Sequence, residues 1–177
     1  SGAHSAMLRT LEAYAKKLIH EKSTTKLFKK IIKEGDVVVD VGANIGYLTA
    51  IGAGLVGKTG QVHSFEPVPT YFHRLLKVRD LNPDYNIRVN DFALGDKKGS
   101  ARIAVNKSHI GTNSMVPGYV DEDKVRQYIT IQVQRLDDYL EREQLEQISL
   151  IKIDVEGYEL PVLKGASNFF HKHKSNL

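Results

Sequence analysis

Seven residues, Asp-Val-Gly-Ala-Asn-Ile-Gly at positions 40–46, are the segment of this sequence best suited to binding a small molecule. They follow a run of β-branched residues and precede a helical pattern, which predicts a strand-to-helix turn. Gly42 and Gly46 allow the backbone to turn sharply and approach a ligand, and the helix start presents unpaired N–H groups. The pattern predicts a nucleotide-sized binding turn, with a purely structural turn as the alternative.

Glu66 strengthens the binding interpretation. It ends the next strand pattern, 20 residues after Gly46, where doubly wound folds place an acid that accepts hydrogen bonds from both ribose hydroxyls. Alone, it would be read as a solvated carboxylate at a strand end. Asn44 stands where the dinucleotide fingerprint requires its second glycine, which disfavours NAD and suits a cofactor without phosphates.

Two further carboxylates and one histidine could take part in chemistry. Asp154 follows an apolar strand pattern, and open parallel sheets bind ligands at the carboxyl ends of their strands. Glu156 and His109 are candidates for a base that removes a proton from a reacting group. His109 is equally consistent with a surface-loop histidine. Two carboxylates without further recognisable ligands are weak evidence for a divalent ion, so no metal site is predicted.

A second glycine-rich segment suggests a different function. Residues 52–59 match the Walker A pattern of a P-loop, and residues 150–154 resemble a Walker B strand. A P-loop must open a helix directly after its Lys-Thr pair, so that helix N–H groups hold phosphate. Here strand alternation and two prolines follow Thr59. We interpret the match as accidental and keep a P-loop NTPase as an alternative.

The elements that must position these residues alternate between helix and strand. A helix is predicted over 8–33, broken near Ser23–Thr25, and a polar lid or binding loop over 106–127. Strands are predicted at 37–41, 61–65, 87–89, 101–105, 128–133 and 148–153. Helices are predicted at 47–56, at 137–146 and at 160–170. A further helix is predicted to begin after Thr70 as its cap, with these residues on its core side: Tyr71, Phe72, Leu75, Leu76, Val78 and Leu81.

Successive strand-helix-strand units imply parallel pairing with right-handed crossovers. The prediction is therefore an α/β fold: a Rossmann-like, doubly wound, mostly parallel sheet with helices on both faces, an N-terminal helical segment and an inserted β-strand pair. We divide the 177 residues into a cloning remnant (1–6), an N-terminal helical segment (7–34) and one binding domain (35–177). Such domains usually have more than four parallel strands, so we expect a chain truncated after the fourth strand and its helix.

Composition limits the classes of partner. Lys and Arg (25) exceed Asp and Glu (21) by four, but they are interspersed, so nucleic-acid binding is not expected. The chain has no cysteine, which excludes disulfides, thiolate nucleophiles and cysteine-ligated metals. No apolar run approaches the roughly 20 residues that span a bilayer. We interpret the protein as cytoplasmic, and nothing in the sequence indicates its oligomeric state.

Four separated motifs together resemble one family. The sequence resembles the FkbM-type methyltransferases in these segments: Gly35–Tyr47, the Phe-Glu-Pro at 65–67, the Ala-Leu-Gly-Asp at 93–96, and Ile151–Leu160 with the Leu-Lys-Gly-Ala at 163–166. The resemblance runs in order through most of the chain. It implies a class I Rossmann-like fold, S-adenosylmethionine as cofactor, and O-methylation of a hydroxyl on a small molecule or sugar.

The resemblance also implies residue roles. Glu66 would hold the cofactor's ribose, and Asp91 and Phe92, after the third strand, would lie near adenine, although Phe92 could equally be a core residue. Separately from the resemblance, our mechanistic hypothesis is that Asp154 contacts the methionine end of the cofactor or the nucleophile, with Glu156 or His109 as candidate base. The resemblance places Gly42, Ala43, Asn44 and Gly46 beside the methionine part of the cofactor, and we also count Asp40 among the cofactor-binding residues.

A non-catalytic Rossmann-like binding module, using its basic N-terminal helix for partners, is the third functional class consistent with the sequence. It differs from the methyltransferase in predicting no activity that depends on Gly42 or Glu66.

Overall fold

The computed structural model describes residues 21–107 and 112–173 of the chain. No helix in these ranges has both the length and the apolar character needed to cross a bilayer. The strands are β1 (Val37–Val41), β2 (Gln61–Phe65), β3 (Asn86–Asn90), β4 (Ala93–Leu94), β5 (Gly99–Asn106), β6 (Val125–Gln134) and β7 (Leu150–Ile153). The helices are α1 (described over 21–31), α2 (Tyr47–Val56), α3 (Pro69–Asp80), α4 (Leu136–Arg142), α5 (Glu159–Gly165) and α6 (Ser167–Lys172), with a 3-10 turn at Glu122–Lys124.

The main sheet has the strand order β3-β2-β1-β7, and all neighbours are parallel. In the central strand β1, the side chains from Val38 to Val41 are buried, as is typical of a parallel sheet covered by helices on both faces. One face packs against α1 and α2 through Phe28 and Val56, and the other against α4 and α5 through Leu136 and Val162. The predicted α/β fold is confirmed.

A second, three-stranded sheet has the order β4-β6-β5. β5 and β6 are antiparallel and form the predicted inserted strand pair. β4, which was not predicted, pairs in parallel with the end of β6. A third cluster, including Val68, Tyr71, Ile103 and Val133, packs this sheet against the start of α3. The second sheet therefore lies beside the point where β2 leads into α3.

Three predictions for the first half of the chain are wrong. Residues 21–31 are helical without a break at Ser23–Thr25. Thr70 does not cap α3, because the helix already begins at Pro69, whose fixed φ suits a first helical position. Leu81 is 81% exposed, because α3 has ended before it.

The second half departs from prediction mainly in element boundaries. α4 ends four residues early, and β7 begins at Leu150 rather than at Ile148. The predicted final helix is two helices that meet at Ala166. Gly165 packs against Gly95, the residue that follows β4. A Cβ at residue 165 would lie 2.0 Å from the Gly95 carbonyl oxygen. The predicted loop also ends earlier, at the 3-10 turn before β6.

The P-loop alternative is wrong. Residues 52–56 belong to α2, Gly57 caps that helix with φ +68, and the chain then enters β2. Lys58 is about 71% exposed and pairs with Asp84 at 3.5 Å across the surface. The element directly after Lys58 and Thr59 is the strand β2 and not a helix, so no helix N–H groups are available there to bind phosphate.

We expect Lys58→Ala to change the free energy of unfolding by less than about 0.5 kcal/mol, because exposed ion pairs contribute little. Denaturant unfolding measures this change. The same variant should bind S-adenosylhomocysteine as the parent protein does. A variant that lost binding of ATP would restore the NTPase interpretation.

Candidate functional site

A cleft of about 620 Å³, part of it open to solvent, lies at the carboxyl ends of β1, β2 and β7. This is the crevice where open α/β sheets bind ligands. One side is formed by the main sheet, and the other by the second sheet and the segment after residue 111. Its lining includes Val41, Gly42, Asn44, Phe65, Glu66, Pro67, Val68, Ala93, Leu94, Ile103, Asn113, Met115, Asp154, Val155 and Glu156.

Gly42 brings the ends of β1 and β7 together. It has φ +77, and a Cβ at this position would lie 2.0 Å from the carbonyl oxygen of Asp154. Its N–H donates to the carbonyl of Phe65 on the other neighbouring strand. A side chain at residue 42 would therefore separate the strand ends that form the floor of the cleft.

Asn44 places its backbone in the cleft in a left-handed conformation, with φ 55. Asparagine tolerates this conformation because its side chain bonds locally, and here Oδ1 accepts a hydrogen bond from the Ile45 N–H at 2.8 Å. The Asn44 N–H donates to Glu66 Oε2 at 2.9 Å. The residue that departs from the dinucleotide fingerprint thus connects the turn to the predicted ribose-binding acid.

Gly46 and Ala43 support the turn and are not among the residues that line the cleft. Gly46 has φ +85, and a Cβ there would meet Leu75 at 2.8 Å and Val78 at 2.9 Å. It therefore allows α3 to pack on the start of α2. Ala43 is buried, and its N–H donates to the Phe65 carbonyl.

Glu66 lies at the base of the cleft with only 5% of its surface exposed. Oε2 accepts from Asn44, and Oε1 accepts from the Val68 N–H at 2.9 Å, so one carboxylate joins the turn after β1 to the start of α3. Burial raises the pKa of Glu66 to about 7, although the two N–H donors and Lys152 act in the opposite direction. Each oxygen retains a lone pair for a ligand hydroxyl.

Lys152 is the site residue that our sequence reasoning missed. It pairs in register with Asp40 across β1 and β7, and its Nζ lies 3.0 Å from Asp40 Oδ1. That contact is an ion pair without hydrogen-bond alignment, whereas the same ammonium donates to the carbonyls of Val41 and Gly42. Asp40 also accepts from the Thr49 hydroxyl. Asp40 is fully buried and is not among the residues that line the cleft. Its contacts with Lys152 and Thr49 therefore support the turn and do not reach a ligand directly.

Asp154 and Glu156 both line the cleft, at the turn between β7 and α5. The segment after residue 111 packs over this turn. The Ser114 hydroxyl donates to the Glu156 carbonyl at 2.6 Å, and the Tyr119 hydroxyl donates to Glu156 Oε2 at 3.0 Å. This hydrogen bond, together with the charge of Glu156, raises the pKa of Tyr119. Glu156 itself has a left-handed backbone, with φ 53.

Glu159 stabilises the same turn from the start of α5. Its Oε1 accepts hydrogen bonds from the backbone N–H groups of Val155 and Gly157. Partial burial alone would raise the pKa of Glu159, but backbone hydrogen bonds outweigh it and lower that pKa. Glu159 therefore fixes the peptide that carries Glu156.

The remaining predicted site residues lie elsewhere. Phe92 is buried and packs edge-on against Phe65, with Tyr139 also near its ring, and Asp91 is exposed. Neither is among the residues that line the cleft. His109 falls outside the described residues. The structure thus brings together Gly42, Asn44, Glu66, Asp154 and Glu156, with Asp40 beneath them.

The side chains in the cleft fit the cofactor that the resemblance implies. S-adenosylmethionine has ribose hydroxyls that the buried Glu66 carboxylate could accept hydrogen bonds from, and an ammonium group that the Asp154 carboxylate in the same cleft could pair with. Asn44 stands where a pyrophosphate would require a glycine. S-adenosylmethionine has no pyrophosphate, so the side chain of Asn44 is compatible with it. Among residues 21–107 and 112–173, no cluster of three potential metal ligands occurs.

Comparison with known proteins finds methyltransferases among the matches. Over 148 residues the chain is 30% identical to the hexuronic acid methyltransferase AglP of Haloferax volcanii, covering 84% of this chain and 57% of that protein. It is 31% identical to the 31-O-demethyl-FK506 methyltransferase FkbM of Streptomyces tacrolimicus, covering 77% and 62%. The chain therefore spans about three fifths of the length of these relatives.

Among solved structures, an rRNA methylase from Streptococcus thermophilus matches with 17% identity and a TM-score of 0.35, over 40% of this chain and 41% of that one. That likeness supports no inference about this chain. The model of the methyltransferase FkbM domain, by contrast, matches residues 40–177, which contain the glycine turn, Glu66 and the turn after β7. The chain belongs to the FkbM methyltransferase domain family.

Proposed function

We propose that the protein is an S-adenosylmethionine-dependent methyltransferase that O-methylates a hydroxyl group of a small molecule or sugar. The observation that carries the proposal is the buried Glu66 carboxylate at the base of a cleft formed by the strand ends. Family membership and the names of the two relatives support the reaction class. The chain spans only part of those relatives, so its activity and acceptor are proposals.

The donor half of the site uses four residues in this proposal. Glu66 accepts hydrogen bonds from the ribose, Gly42 and Asn44 provide a closely approaching backbone, and Asp154 faces the amino group. The cofactor supplies a methyl group on a sulfonium, which is a good neutral leaving group. The protein's main task is therefore to align the acceptor oxygen with that methyl group.

The acceptor hydroxyl reacts faster if a base takes its proton as the new bond forms. Glu156 is our first candidate for this role, because it lines the cleft, Tyr119 holds its carboxylate and Ser114 holds its backbone carbonyl. His109 is the second candidate. A Glu156→Gln variant with lowered kcat and unchanged S-adenosylhomocysteine affinity would assign the base to Glu156.

The other predicted residues take supporting places. Asp40, Ala43 and Gly46 build the turn, while adenine contact by Asp91 and Phe92 stays a prediction to be tested with adenine-modified cofactors. We also retain the division at residues 6 and 34 and a cytoplasmic location as proposals. Cell fractionation tests the location.

The raised pKa of Glu66 predicts how cofactor affinity depends on pH. Donors from the ribose favour the charged carboxylate, so binding below pH 7 must first remove a proton. With a pKa of about 7, the charged fraction is about tenfold smaller at pH 6 than at pH 8, and affinity should fall by about the same factor. Isothermal titration with S-adenosylhomocysteine at the two pH values measures this ratio.

The matched control for the pH profile is Asp84→Asn, which removes an exposed carboxylate before β3, at the opposite end of the sheet. This control should keep the tenfold ratio, whereas Glu66→Gln should bind weakly and with no pH dependence over the same range. A parent protein whose affinity is equal at pH 6 and pH 8 would contradict ribose binding by Glu66.

A further inference from the structure

Helix α1 carries a set of exposed lysines that neither the core nor the cleft uses. Four of them are spaced by three or four residues within the helix, which places them on one side, and the fifth follows the helix end. None of the five forms an ion pair with a carboxylate of the described residues. We call this set the lysine stripe, and its members are Lys22, Lys26, Lys29, Lys30 and Lys33.

The carboxylates that follow the lysine stripe in sequence have other contacts. Asp36 accepts a hydrogen bond from the backbone N–H of Lys33 at 2.7 Å, and the side chain of Glu34 packs against Gly57. Without the five lysines of the stripe, the sequence would contain 20 Lys and Arg against 21 Asp and Glu. The stripe is therefore a local concentration of positive charge on a chain that is otherwise close to neutral.

The orientation of α1 is fixed by its buried side. Phe28 and Ile32 are 2% and 6% exposed and pack in the core with Val38 of β1. Leu27 and Ile31 are instead 50% and 38% exposed. They are four residues apart, directly after two of the lysines, so they form a second row beside the stripe. The helix thus presents positive charges and aliphatic side chains together on its solvent side.

This combination fits the surface of an anionic lipid bilayer. Each lysine near such a surface strengthens binding by about fivefold. Aliphatic side chains beside the lysines can enter the boundary between headgroups and acyl chains. Nucleic-acid surfaces, by contrast, combine lysine with arginine and with aromatic side chains that stack on bases, and the described part of α1 exposes neither of these.

We propose that α1 is a docking surface for an anionic phospholipid bilayer, with the lysine stripe on the headgroups and Leu27 and Ile31 inserted between them. None of these residues lines the cleft. The proposal is therefore independent of the proposed function, and failure of one leaves the other standing.

Cosedimentation of the full chain with lipid vesicles tests the proposal. At low ionic strength, vesicles of about 30% phosphatidylglycerol in phosphatidylcholine should bind the protein more than about tenfold more tightly than vesicles of phosphatidylcholine alone. Lys26→Gln/Lys30→Gln should weaken binding to the anionic vesicles more than about tenfold, because it removes two charges of the stripe. Lys97→Gln/Lys98→Gln is the matched control, since it removes two charges at exposed positions between β4 and β5, and it should change binding less than about twofold.

A third variant, Leu27→Gln/Ile31→Gln, distinguishes a bilayer from a nucleic acid. It should weaken binding to the anionic vesicles more than about threefold, because less apolar surface is buried, and it should not change the affinity for a DNA duplex. All substituted positions are exposed, and circular dichroism with a thermal melt verifies that each variant is folded. Every variant keeps residues 1–20, so the contribution of that segment is common to all measurements.

Equal binding to the two kinds of vesicle, or binding to neither, overturns the proposal. An equal loss for the two lysine pairs also overturns it, because the effect would then depend on net charge alone. If the parent protein binds the duplex more tightly than the anionic vesicles, or if Leu27→Gln/Ile31→Gln binds the vesicles as the parent does, α1 is not a bilayer-docking surface.

Discussion

Lys152→Met is expected to lower the free energy of unfolding by about 3–5 kcal/mol, the cost typical of leaving a buried charge without its partner. Methionine preserves most of the length and apolar stem of lysine. It removes the ammonium that pairs with Asp40 and donates to the carbonyls of Val41 and Gly42. Asp40, fully buried, would keep the Thr49 hydroxyl as its remaining described partner. Denaturant unfolding with two independent probes measures the loss.

The matched control is Lys164→Met, which makes the same change at an exposed position of α5 and should cost less than about 0.5 kcal/mol. Adding Asp40→Asn to Lys152→Met should recover part of the lost stability, because it removes the unpaired charge. If Lys152→Met is as stable as Lys164→Met, the ion pair does not stabilise the turn.

Glu66→Gln is expected to weaken S-adenosylhomocysteine binding about 100-fold. Hydrogen bonds to a charged group contribute roughly 1.5–3 kcal/mol each, and loss of about 3 kcal/mol over the ribose contacts corresponds to two factors of ten in affinity. Glutamine keeps the shape of the side chain, but one of its terminal groups is a donor. It therefore cannot accept from both the Asn44 and the Val68 N–H groups.

Because those N–H groups order the turn and the start of α3, the stability of Glu66→Gln must be measured beside its affinity. Circular dichroism and a thermal melt identify a folded variant, and Asp84→Asn again serves as the control carboxylate. A folded Glu66→Gln protein with parental affinity would show that the ribose binds elsewhere. In that event the cleft would not be the cofactor site.

The parts of the fold that depend on local pattern were predictable from sequence. The β-branched run at Val37–Val41 and the turn after it gave β1 correctly, because a strand buried on both faces needs such residues. The two-residue strand β4 is too short for any periodicity to appear. The break at Ala166 lies next to the close contact between Gly165 and Gly95, which are distant in sequence.

The site shows the same division between local and long-range information. Glu66 could be found from its spacing after the glycine turn. Lys152 gave one signal, a lysine within an otherwise apolar strand, but its partner became clear only from the register that pairs it with Asp40. Gly46 was predicted beside the cofactor because of its place in the motif. That prediction is untested, but the structure adds that a Cβ at residue 46 would meet Leu75 and Val78, and no pattern in the sequence indicates that α3 packs there.

If the protein is such a methyltransferase, the cleft at Glu66 binds S-adenosylmethionine rather than a phosphate-containing nucleotide. The most direct test is a thermal-shift measurement on the chain with S-adenosylhomocysteine, NAD and ATP in parallel. We expect a concentration-dependent rise in Tm with S-adenosylhomocysteine and none with the other two. A rise with ATP or NAD, or no rise with S-adenosylhomocysteine, would contradict it.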